Sequence, residues 1–293
     1  MLLKRTAAFP SNTSQVLNQF VFYVSLPALV LITIPKLEFT SDLIATAVIP
    51  WVLLLFSVVL LFICANIFKW SRNTLGALLL IVPLGNTSFL GIPMVRTFFG
   101  DDLVVYALMY DQLGTFLALA LYGSLVLAVF NKQKNQAPKH TLAKDALIMM
   151  VSFPPFISLV IALLLHNVDL PPVYYELLSP IALTLVPVVM IAVGFQLTFK
   201  LDSASISPFI IGLSIKMLLA PALALLIFVL LGMKGTVYQV VVFEAAMPPM
   251  ISACALAIMS NLSPKLTAAM MAYGIILSFA TLPLLYSTLK LIL

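Results

Sequence analysis

Asn86–Thr87–Ser88–Phe89–Leu90–Gly91–Ile92–Pro93 is a polar run, broken by Gly and Pro, inside an apolar span from about 73 to 99. In lipid, backbone that leaves the helix must be buried in protein or line a water-filled cavity. Helices broken at mid-depth are how many secondary transporters build a substrate site. A second apolar span breaks at Met247–Pro248–Pro249. Two such breaks in matching halves point to a carrier more specifically than to a generic membrane protein.

Composition sets the class. The chain has 293 residues, 63% hydrophobic and 9% charged, with a mean hydropathy of +1.17. A soluble protein of this length cannot hide so much apolar surface, so an all-α polytopic membrane protein is expected, with the lipid bilayer as its solvent. The net charge of +5 comes from basic residues in short loops, the pattern of topology signals and not of a nucleic-acid-binding face. Cys64 and Cys254 fall inside apolar spans and read as packing residues. His140 and His166 lie in loops, so neither a metal site nor a cofactor is expected. No short apolar core with a cleavage site follows Lys4 and Arg5, which argues against a signal peptide.

Nine apolar segments can be drawn, at about 12–34, 42–68, 73–99, 102–130, 145–165, 172–199, 206–231, 236–260 and 264–292. Most reach the roughly 20 residues that a spanning helix needs. With the N-terminal segment cytoplasmic, ten basic residues fall inside: Lys4, Arg5, Lys69, Arg72, Lys132, Lys134, Lys139, Lys144, Lys200 and Lys265. Four fall outside: Lys36, Arg96, Lys234 and Lys290. That bias sets the orientation and makes 131–144 a cytoplasmic linker.

Laid on itself with an offset of 163, the chain brings Leu103, Tyr110, Phe116, Leu119, Leu121 and Ser124 onto Leu266, Tyr273, Phe279, Leu282, Leu284 and Ser287. With an offset of 162, Gly85–Asn86 meets Met247–Pro248. In each half a broken span precedes a long one, and the halves are separated by an odd number of spans. This predicts an inverted-topology repeat, with 1–130 as the first half and 145–293 as the second. The first half has four spans and the second five, so one helix is expected to be missing before Met1.

The run Asn86-Thr-Ser-Phe-Leu-Gly-Ile-Pro-Met-Val with Phe99-Gly100 resembles the first crossover of the auxin efflux carrier family. Glu244-Ala-Ala-Met-Pro-Pro-Met and Thr281-Leu-Pro-Leu-Leu resemble its second crossover and last helix, and Leu17-Asn-Gln-Phe through Ser25-Leu-Pro-Ala its second helix. The resemblance covers essentially the whole chain. It implies inverted five-helix repeats whose broken fourth helices cross near the midplane. It also implies a transport domain of 42–130 plus 206–293, and a scaffold of 12–34 plus 145–199 that forms a homodimer. Movement would be of the elevator type. Family substrates are small organic anions, auxin in plants and malate or malonate in bacteria, so a bacterial inner (plasma) membrane permease is expected.

Pro93 and Pro248–Pro249 are expected to open the restarted half-helices, since proline suits a first helical turn. Free N–H groups and a positive dipole end there would receive an anion. Asn86, Thr87 and Ser88 would add donors, and Gly91 would let the backbone approach a ligand. The alternative is that these groups only cap helix ends.

Asp111, Lys216 and Glu244 each stand nine or ten residues into a span, counted from Asp102, Ile206 and Gly235. At about 1.5 Å per residue that is roughly the middle of a hydrocarbon core about 30 Å thick. A charge there costs at least about 2.5–3.5 kcal/mol, so each needs a partner or a cavity. Proton coupling or charge balance with the substrate is one role, with Lys216 pairing a carboxylate and Gln112 completing the network. An ion pair that fixes helix packing is the other. Na+ remains an alternative to H+.

Tyr110–Asp111 resembles half of an intramembrane aspartyl protease, but the matching Gly-x-Gly-Asp is absent. That chemistry needs two carboxylates sharing a proton, so no enzyme is expected. A channel or a sensor without coupled transport is the remaining rival.

Overall fold

The computed structural model describes residues 10, 12–36, 42–130, 152–166, 168–196 and 205–293. Lys4, Arg5, the 131–144 linker and the start of the segment drawn at 145 lie outside the described residues. Among the described residues all regular structure is helical, apart from one isolated antiparallel bridge between Gly85 and Pro249.

The chain divides into two compact units. The first comprises Met1–Thr40 and Ile148–Leu197, and the second Ser41–Leu147 and Thr198–Leu293.

In the first unit α1 (Thr13–Lys36) packs with α6 (Pro154–Leu164) and with α7, which runs as Pro172–Leu183 and then Leu185–Gln196. Pro35 in α1 has no N–H to give the carbonyl four residues back, that of Leu31. The Tyr174 hydroxyl donates to that carbonyl instead, at 2.9 Å. A 2.7 Å contact between the Ser25 and Thr184 hydroxyls ties α1 to the turn inside α7.

The second unit holds α2 (Asp42–Phe68), α3 (Arg72–Ile81), α4 (a π turn Thr87–Gly91 running into Ile92–Phe99) and α5 (Asp101–Phe130). It continues with α8 (Ile206–Leu230), α9 (Thr236–Ala245), α10 (Ile251–Met259) and α11 (Pro264–Ile292). α2 is apolar all round. Leu53, Leu54 and Leu61 are buried, while Ile44, Val48, Val52, Leu55 and Val59 are exposed. A helix of that kind meets protein on one side and lipid on the other.

Among the described residues six helices are long and apolar enough to cross a membrane: α1, α2, α5, α7, α8 and α11. Three shorter apolar helices, α3, α6 and α9, fall below that length. The nine segments drawn from sequence exceed six because 73–99 and 236–260 are each divided into two short helices, and only part of 145–165 is described.

Both divisions begin at proline. Pro83 cannot donate to the Leu79 carbonyl, and α3 ends at Ile81. The Tyr122 hydroxyl of α5 takes that carbonyl at 2.8 Å. Pro249 likewise cannot donate to the carbonyl of Ala245, the last residue of α9. There the Lys216 ammonium of α8 takes it, at 3.2 Å.

Candidate functional site

The two interruptions meet. Asn86 N–H donates to the Pro248 carbonyl at 2.8 Å, and Met250 N–H donates to the Leu84 carbonyl at 2.9 Å. These bonds flank the Gly85–Pro249 bridge and join the non-helical backbone of both breaks. On either side, α3 packs against α10 and α9 against α4. Each half of one broken helix therefore lies beside the opposite half of the other. Backbone groups that leave their own helices are satisfied across the crossing, as a low-dielectric surrounding requires.

The first break restarts earlier than sequence reasoning placed it. The half-helix begins at Thr87, where Leu90 and Gly91 N–H both donate to the Asn86 carbonyl at 3.2 and 3.0 Å, closing a π turn. Pro93 is thus not at the start but inside the helical run, following a turn that already departs from the regular ladder. Pro248 and Pro249 also do not open a helix. They lie outside any helix and precede α10, whose N-cap is the apolar, extended Met250. Proline here ends the first half-helix by withholding a donor and leaves initiation of the second to its neighbours.

Asp111 comes from a second π turn, Tyr110–Phe116 in α5. Its Oδ1 accepts from Thr87 Oγ1 and Ser88 Oγ, both at 2.5 Å, and its Oδ2 accepts from Gln112 Nε2 at 2.8 Å. Thr87 and Ser88 are therefore engaged by the protein's own carboxyl at the first turn of the restarted half-helix, where the dipole favours negative charge.

Asn86 differs from its neighbours. It is buried, and neither Nδ2 nor Oδ1 has a hydrogen-bond partner among the described residues. Gln112 Oε1 is also unpartnered, as are both carboxyl oxygens of Glu244, which is fully buried. The Glu244 carboxyl lies against Gly91, where a side-chain Cβ would collide with it. Sequence reasoning gave Gly91 a role in approaching a ligand. The group it admits here is Glu244.

Lys216 sits in a π turn of α8, Ile215–Leu219. The expected ion pair with a carboxylate is not formed. Among the described residues the one ion pair is Arg96–Asp101, at the far end of α4. Lys216 Nζ instead bonds the Ala245 carbonyl and lies beside Gly85, where an added Cβ would be 3.0 Å from it. A cation at the C-terminal end of α9 is favourable for the dipole of that helix. Lys216, Gly85, Pro83, Leu84, Tyr110, Thr115 and Ser57 border a narrow recess with room for about one water.

The family model described as "Membrane transport protein" matches residues 1–286 of the chain. The chain belongs to this family, that of the auxin efflux carriers. It is 28% identical over 264 residues to an uncharacterized transporter of Methanocaldococcus jannaschii, covering 87% of this chain and 83% of that one. It is 25% identical over 286 residues to an uncharacterized transporter of Methanothermobacter thermautotrophicus, covering 97% of this chain and 91% of that one. The auxin efflux carrier resemblance drawn from the two breaks is thereby established, and with it an integral, multi-pass membrane transporter. Two features of the site had escaped sequence reasoning. Tyr122 lies far along the chain from Pro83, and Lys216 serves a main-chain carbonyl. The available clue for both is a proline in a span, which obliges some donor to replace the missing one.

Proposed function

We propose that this protein is a secondary active transporter of a small organic anion carrying a carboxylate, working by alternating access in the plasma membrane. Nine spans form two inverted repeats. The second compact unit carries the substrate and the first serves as scaffold and homodimer surface, an elevator arrangement. The observation that carries this reading is the crossing of the two breaks. It gathers two restarted half-helices, an unpartnered buried Asn86, and the charges of Asp111, Glu244 and Lys216 in one place. Buried polar groups without partners are costly and in membranes mark substrate or ion pathways.

In this reading Asn86 binds the substrate carboxylate, with Thr87, Ser88, Gly91, Pro93, Pro248 and Pro249 shaping the site. Asp111 holds the hydroxyls of Thr87 and Ser88 until a proton neutralises it. Protonation weakens its hold as an acceptor and frees both hydroxyls for the substrate, which couples H+ to the anion. Glu244 and Gln112 complete the charge balance. Purified protein in vesicles should take up labelled small organic acids with saturation and counterflow, faster with an inward proton gradient. Flux that neither saturates nor exchanges would mean a channel, and absence of flux for any small carboxylate would overturn the reading.

A further inference from the structure

The C-terminal end of a half-helix presents unpaired carbonyls and a negative dipole end. In carriers built on broken helices, such ends hold the coupling cation. α9 ends in this way at Ala245, and the group bound there is the Lys216 ammonium, 3.2 Å from the Ala245 carbonyl and beside Gly85 at the crossing. Further hard oxygen donors lie at the same crossing. The Glu244 carboxyl, next in sequence to Ala245, is fully buried and unpartnered among the described residues, yet acts electrostatically on Lys216. Asn86 Oδ1, next in sequence to Gly85, is also buried and unpartnered. Asp111 and Tyr110 are the other titratable groups in electrostatic range of Glu244. The carbonyl that Lys216 holds, with a carboxylate and an amide oxygen left unpartnered at the same crossing, offers the oxygen chemistry that a small monovalent metal ion takes.

We propose that Lys216 is a tethered counter-cation: its ammonium fills the position at the crossing that Na+ would otherwise occupy. The native protein therefore binds no Na+ there, and removing the ammonium opens a site for Na+ or Li+. For its consequence, a carrier without a coupling metal, this rests on the transporter reading. The site itself is tested without transport, so the two fail separately.

The full chain, purified in detergent, is unfolded by heat in NaCl, LiCl or choline chloride at equal ionic strength. The wild type should unfold at one temperature in all three. Lys216→Ser should unfold earlier in choline and recover by roughly 3–8 °C in Na+ or Li+, the shift expected when a ligand stands well above its dissociation constant. Lys216→Met keeps the apolar stem without the charge and should respond in the same direction. Recovery of folded variant only when Na+ is present counts as the same response. A Na+-specific rise in the wild type overturns the proposal. So does a folded variant that no metal ion stabilises, or failure of both variants to fold in any of the salts.

Discussion

The two breaks solve one problem with different chemistry. Each begins at a proline that orphans a carbonyl, and each gives backbone to the other across the Gly85–Pro249 bridge. The first break continues with Asn86, Thr87 and Ser88, which bring their own side-chain donors, and its orphan carbonyl takes a neutral tyrosine hydroxyl. The second continues with Met247, Pro248, Pro249 and Met250, which bring none, and its orphan carbonyl takes an ammonium from another helix. Polar side chains at a break can meet a ligand. A break without them is a structural wall whose charge must come from elsewhere.

The largest expected effect tests the charged end of the first break. Asp111→Asn keeps the shape and removes the titration, so uptake driven by a pH gradient should be abolished while exchange at equal pH persists. Accumulation that survives on the proton gradient alone would remove Asp111 from coupling. Loss of exchange as well would make it a structural anchor and turn attention to Glu244.

Next comes Asn86, which separates ligand binding from capping. Asn86→Ala should weaken substrate affinity by about 5–150-fold, the equivalent of about 1–3 kcal/mol for a lost hydrogen bond to a charged group. Its unfolding temperature should hardly change, because the amide has no protein partner among the described residues to lose. A drop in stability at unchanged affinity would make Asn86 a cap and nothing more.

The smallest effect compares the two orphan carbonyls. Tyr122→Phe leaves the Leu79 carbonyl without its side-chain donor and should cost about 0.5–1.5 kcal/mol. Lys216→Met, measured in choline, should cost more, since it removes a charge from a helix end as well as a hydrogen bond. Equal losses in thermal unfolding would mean that the ammonium acts only as a hydrogen-bond donor.

Much of this site is legible in the sequence, because lipid makes irregular backbone and buried charge conspicuous. Asn86–Pro93 and Met247–Pro249 mark the breaks, and Asp111, Lys216 and Glu244 stand out by depth alone. What sequence could not give is who answers whom. Lys216 was expected to pair with a carboxylate, since opposite charges attract, but the carbonyl freed by Pro249 is nearer. Pro93 was expected to start a half-helix, since its propensity favours the first turn. The hydroxyls of Thr87 and Ser88, anchored on Asp111, fix the start six residues earlier. Both differences come from long-range contacts, which local preference does not encode.

The grouping of Lys216 with Glu244 and Asp111 at the crossing also bears on membrane voltage. With Asp111 and Glu244 both ionised, the three groups at the crossing carry one net negative charge, and a single proton makes the set neutral. A unit that carries one charge across the membrane exchanges about 2.3 kcal/mol with the field per 100 mV, whereas a neutral one exchanges none. In the proposed mechanism, a potential negative inside would hinder the empty, deprotonated unit from moving inward and leave the singly protonated, substrate-free one indifferent, while a bound carboxylate restores one negative charge. Protonation would then decide when the electric field can act on the moving part as well as when the substrate can bind.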